Sequence, residues 1–154
     1  MADPGWAVFG DLVLAFVGAI VPAFLFGFDG RRWPWVGVSG VVGWAVYLGG
    51  VALGWTAPVA LFAGACAVAL WAEGVARGVR EPVPAVLVGG VFPLVPGLTT
   101  FQALEALLRH QDALASQKGG QAIAAAVAVA LGILTLSGLA RLLPLPGPKN
   151  SRHP

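Results

Sequence analysis

The residues of this chain that could do chemistry are concentrated in Val91-Phe92-Pro93-Leu94-Val95-Pro96-Gly97-Leu98-Thr99-Thr100. Two prolines and a glycine interrupt an apolar run long enough to cross a bilayer. Pro93 and Pro96 remove backbone donors and disfavour helix before them, and Gly97 can take the dihedrals of a turn. A new helix can start at Thr99, because Thr99 and Gln102 have the spacing of a capping box. That half-helix would aim its free N–H groups and positive end into the membrane interior, a ready site for a carboxylate. In lipid the freed backbone groups must be met by protein or by water in a cavity. The candidate substrate-pathway residues are Pro93, Pro96, Gly97, Thr99, Thr100, Phe101 and Gln102. A proline kink without a ligand is the other reading of the same residues, and the sequence leaves both open.

Three more acidic or basic positions lie at membrane depth or at its edge. Glu73 and Arg77 are four residues apart and suit either an interfacial ion pair or a cytoplasmic gate or partner contact. Asp11 is either a proton or cation site or the mark of where the first span begins. Beyond the break, Phe101, Leu104 and Leu108 share one helical face, and Glu105 and Arg109 are again four apart, as at an amphipathic end emerging into water. Enzyme chemistry has little to work with. The two histidines, His110 and His153, are far apart, Cys66 is the only cysteine, and no His/Cys/carboxylate cluster has metal-ligand spacing. No phosphate loop or nucleophile elbow is present. The reading is a non-enzyme with no catalytic residue, metal or cofactor.

The elements that position these residues follow from composition. The chain has 154 residues, 58% hydrophobic and 10% charged, with a mean hydropathy of +0.83. Soluble domains carry about 25% charged residues, so this chain has too little polar surface to cover a globule. It reads as an all-α, polytopic integral membrane protein forming one membrane domain over residues 1–154. About five transmembrane helices are expected, near residues 8–28, 33–54, 57–72, 83–108 and 122–143, the fourth broken at Pro96-Gly97. Counting from Val83, the break is about 20 Å along that span. Short polar connections separate the runs, and a disordered tail is expected over 144–154. The first residues lack a basic stretch and carry Asp3, so the first run is expected to stay as a span. A net charge of +2 is too small to imply a nucleic-acid partner, so none is expected, and membrane lipid is the expected surroundings.

Charge placement fixes a direction. With the N-terminus outside, Arg31, Arg32, Arg77, Arg80, Arg141, Lys149 and Arg152 face the cytoplasm, while Arg109 and Lys118 face out. The positive-inside rule expects this asymmetry. Trp6, Trp33, Trp35, Trp55 and Trp71 fall near span ends, where indoles favour the headgroup region; Trp44 lies inside a span. Gly37, Gly40 and Gly43, followed by Gly50 and Gly54, form a small-residue stripe, as do Ala124, Ala128 and Gly132. Both let helix backbones approach closely, within the chain or between copies as a homo-oligomer.

Three stretches resemble the threonine/serine exporter family, specifically its small membrane subunit of the ThrE/YjjB type. They are Val36-Gly37-Val38-Ser39-Gly40-Val41-Val42-Gly43-Trp44 with Tyr47-Leu48, then Trp71-Ala72-Glu73 through Ala76-Arg77 to Pro82, and Phe92-Pro93-Leu94-Val95-Pro96-Gly97. The last is similar to the family's P-x-x-P-G signature. The resemblance implies export of small amino acids such as threonine and serine, or of dicarboxylates such as succinate, across the bacterial cytoplasmic (inner) membrane. It also implies a larger ThrE/YjjP-like membrane subunit as partner. An accessory role beside that subunit, or a homo-oligomeric channel, are the alternatives. Gln102 departs from the aromatic-Arg pair common after the family's P-G.

Overall fold

Helices that are apolar on every side are stable only when other helices or lipid surround them. The computed structural model, which describes residues 4–27, 30–79 and 83–142, is built of such helices, with no strand among those residues. They are α1 (Pro4–Leu25), a 3₁₀ turn (Gly30–Arg32), α2 (Trp33–Ala52), α3 (Ala57–Val79), α4 (Val83–Val91), a second 3₁₀ turn (Phe92–Leu94), α5 (Gly97–Leu108) and α6 (Asp112–Leu142). Helices α1, α2, α3 and α6 are each long and apolar enough to cross a membrane. Helix α4 with its 3₁₀ turn and α5 form an apolar pair bent by 47°, which makes a fifth candidate span if the two are taken as one broken pass. The chain is an all-α, multi-pass membrane protein.

Contacts between helices fix their directions. Phe24 stacks edge-on with Trp33 at 5.9 Å, so α1 and α2 are antiparallel neighbours. Trp35 meets Trp71 at one end of α2, and Gly50 meets Ala60 at the other, so α3 runs back. Helix α4 rises beside α2, from Val86 under Ser39 to Leu94 against Gly43. Helix α6 runs parallel to α3: Leu61 packs with Ala125, and Glu73 and Arg77 share a cleft with Leu139 and Ala140. The start of α1 and the end of α6 therefore lie at opposite ends of the bundle. Arg31 and Arg77 mark one end, Arg109 and Lys118 the other. Arg80, Lys149, Arg152, Asp29 and the tail from residue 144 lie outside the described residues.

The helix ends differ from the apolar runs where polar residues stay helical. Helix α3 continues past Trp71 to Val79, carrying the Glu73–Arg77 pair at 3.5 Å on its last turns. Helix α6 begins at Asp112, inside the expected connection, because Ser116, Gln117 and Lys118 change what the helix faces and not whether it forms. Asp112 also suits the positive end of the helix. Glycine stops α2: Gly54 has φ +84°, its N–H reaches Val51 O, and the Trp55 N–H reaches Gly50 O. That is a Schellman motif. Gly54 thus ends the helix and would bring an added Cβ within 4 Å of nothing, although its spacing groups it with the packing glycines. The same motif closes the α5–α6 hairpin with His110 at φ 56°. A non-glycine residue there costs roughly 1–2 kcal/mol. We expect His110→Gly to raise the thermal unfolding midpoint in detergent by a few degrees, the gain being about 1 kcal/mol at most.

The other glycines of the stripe hold the bundle together. A Cβ on Gly37 would enter the Phe16 ring. One on Gly40 would lie 2.6 Å from Ala19 Cβ and 2.8 Å from the Ala15 carbonyl oxygen. Gly50 faces Ala60 and Trp55 in the same way. Gly43 and Gly64 bring the α2 and α3 backbones together, and Leu94, 2% exposed, fills the notch between them.

Candidate functional site

The break is made by its prolines. Pro96 bars the residue before it from the helical region, and Val95 is extended at φ −66°, ψ 129°. Its N–H turns back to Phe92 O at 3.2 Å. Pro93 and Leu94 are fixed to the bundle: the Pro93 ring lies against Gly18 and Gly40, and Leu94 sits in the Gly43–Gly64 notch. These contacts place the break beside the middle residues of α2 and α3. After Pro96 the chain leaves the bundle, and α5 packs chiefly on α6.

Helix α5 starts at Gly97, two residues before the expected Thr99, with Pro96 as its N-cap and no side-chain capping bond. The Thr99–Gln102 capping box therefore does not form. The Pro96 carbonyl instead accepts from the Thr100 N–H at 3.0 Å and from Thr100 Oγ1 at 2.7 Å. Gly97 is not among the residues at positive φ, so the turn does not use its special dihedrals. No atom lies within 4 Å of a Cβ built on it. Here the glycine leaves space.

That space is a cavity of about 760 Å³. Its floor is the break, from Pro93 to Thr99. One wall is Trp44 and Tyr47 of α2 with the first turns of α3, and the other is α6 from Gly120 to Ala125. The size is typical of small-molecule sites. The first turn of α5, the positive end of its dipole, opens into it. Polar groups come from Tyr47, Thr99, Gln121 and the Trp44 indole, and no Asp, Glu, His, Lys or Arg lines it. Trp44 and Tyr47 stack with ring centroids 4.9 Å apart. The Trp44 indole Nε1 is buried and has no hydrogen-bond partner.

The candidate residues separate into distinct places. Pro93, Pro96, Gly97 and Thr99 line the cavity. Thr100 binds its own helix turn, and Phe101 is 63% exposed on the outer face of α5. Gln102, one turn further, belongs to a different cleft between α5 and α6. Glu73 and Arg77 pair on α3 at the far end. Asp11 is half-buried on α1. Tyr47, Trp44 and Gln121 come to the site from distant sequence positions. The available signal for them was polarity inside an apolar run. Gly89-Gly90, also unassigned, forms the α4 side of the seam with α2, where Ser39 Oγ donates to Val86 O at 3.1 Å.

A family model described as Threonine/Serine exporter, ThrE, matches residues 11–138. That stretch covers every cavity-lining residue. No curated protein matches the chain, and no solved structure matches it.

Proposed function

The chain belongs to the threonine/serine exporter family, and from that premise we propose that the cavity at the broken helix is where it holds the exported amino acid. The observation that carries this reading is the uncapped first turn of α5 opening into a cavity free of charged side chains. A helix N-terminus acts as roughly +0.5 of a charge. It suits the single carboxylate of a zwitterion such as threonine or serine. A dicarboxylate such as succinate would bring a second negative charge with no cation to meet it. The stacked Trp44 and Tyr47 offer ring faces to the ammonium group, and Thr99 and Gln121 offer partners to a side-chain hydroxyl.

Arg31 and Arg77 at one end of the bundle support a cytoplasmic position for that end under the positive-inside rule; on that reading the cavity belongs to the outer half of a bacterial inner membrane. The exposed apolar faces suit lipid and a larger membrane subunit of the same exporter. The test is efflux of labelled threonine from cells with and without this chain, followed by reconstitution. The expected result is loss of efflux without the chain and restoration by the chain together with the larger subunit. If the larger subunit alone moves threonine at full rate, the chain is accessory. Flux from this chain alone in liposomes would remove the need for a partner.

A further inference from the structure

A second opening lies on the same α5–α6 seam, toward the hairpin turn. It is a cleft of about 330 Å³ lined by Gln102, Glu105 and Arg109 of α5, Gln111 at the turn, and Leu114 and Lys118 of α6. Its two cations differ. Arg109 is held by the Glu105 carboxylate at 2.7 Å. Lys118 is half-buried and makes no ion pair or hydrogen bond among the described residues. The cleft therefore carries one uncompensated positive charge, in a chain where charge is scarce.

The position of the cleft gives that charge a use. The cavity ends at Thr99 on α5 and at Gly120 and Gln121 on α6; the cleft begins at Gln102 and Lys118. The step is three residues on α5, about 4.5 Å of rise, and two on α6, about 3 Å. A carboxylate leaving the first turn of α5 meets the Lys118 ammonium and the Gln102 amide within one turn.

We infer that Lys118 and Gln102 form an outer binding station for the carboxylate of the transported amino acid, in series with the cavity. This rests on the transport reading above. The Lys118 ammonium donates to the carboxylate and the Gln102 amide orients it; no covalent step is involved. The same anion-binding chemistry could hold the phosphate of a lipid headgroup, so the experiment must separate the two.

The test uses vesicles from cells whose threonine efflux depends on the full chain, with exchange driven by threonine on one side at a time. Lys118→Gln should raise the external threonine concentration for half-maximal exchange about ten-fold, the worth of one charge-assisted hydrogen bond. The internal half-saturation should not move. Lys118→Arg should restore the external value. Unchanged external affinity in Lys118→Gln, or an equal shift on both sides, overturns the proposal while leaving the cavity reading intact. A shift seen only in membranes enriched in anionic lipid overturns it in favour of a headgroup contact. If the wild-type chain supports no efflux at all, both readings fall together.

Discussion

Gly97→Leu is expected to cut threonine efflux at least ten-fold while leaving the protein as stable as wild type. The expectation follows from the space around this residue. Gly97 has helical dihedrals, and no atom lies within 4 Å of an added Cβ. Neither strain nor collision penalises a side chain there. An alanine should add up to about 1 kcal/mol of helix stability and leave most of the cavity open. A leucine projects further and covers the first-turn amides of α5 that would meet a carboxylate. Efflux rates for Gly97→Ala and Gly97→Leu, set beside their unfolding midpoints in detergent, check this directly. A leucine variant exporting at the wild-type rate would remove the first turn of α5 from the binding site.

Gly89→Leu should have the opposite profile, failing in folding before function. A Cβ at Gly89 would strike the Val36 side chain and lie 2.9 Å from the Ala19 carbonyl oxygen. The backbone of α1 cannot yield as a flexible side chain would. Overpacking a closed core costs typically about 1–3 kcal/mol, and contact with backbone on a second helix puts this site at the upper end. Even Gly89→Ala is expected to lower the unfolding midpoint by several degrees, because the first added carbon already collides. The check is the fraction of protein recovered monodisperse from detergent, with its melting curve. A stable Gly89→Leu protein would show that the seam between α1, α2 and α4 can open. Two glycines eight positions apart, on either side of the break, thus carry opposite expectations, one set by emptiness and the other by contact.

Much of the architecture was legible in the sequence because lipid imposes strong rules. The low charge and long apolar runs identify an all-α membrane protein. The Pro93/Pro96 spacing locates the interruption, since proline acts on the backbone wherever it sits. Local polarity misled in two places. Gly119, Gly120 and their charged neighbours read as a connection, yet α6 runs through them, because polarity reports what surrounds a helix and not whether it forms. Thr99 looked like a cap, but the Pro96 carbonyl already serves Thr100, and the helix starts before Thr99 is reached. The pathway residues were grouped by adjacency, and the 100° turn per residue separates them: Thr99 faces the cavity, Phe101 faces out, and Gln102 enters the next cleft. Trp44, Tyr47 and Gln121 could not be joined from sequence. Their meeting depends on the parallel run of α3 and α6, which no local pattern encodes.

The joint at Val95 and Pro96 also limits how α5 can move. The Pro96 ring locks its φ, and its bulk bars Val95 from the helical region. Few free torsions remain between the anchored Leu94 and the first residue of α5. The half-helix is therefore held at both ends, by this proline joint and by the Schellman turn at His110 that leads into α6. How α5 stands against the rest of the bundle is thus set by that joint and by its packing on α6.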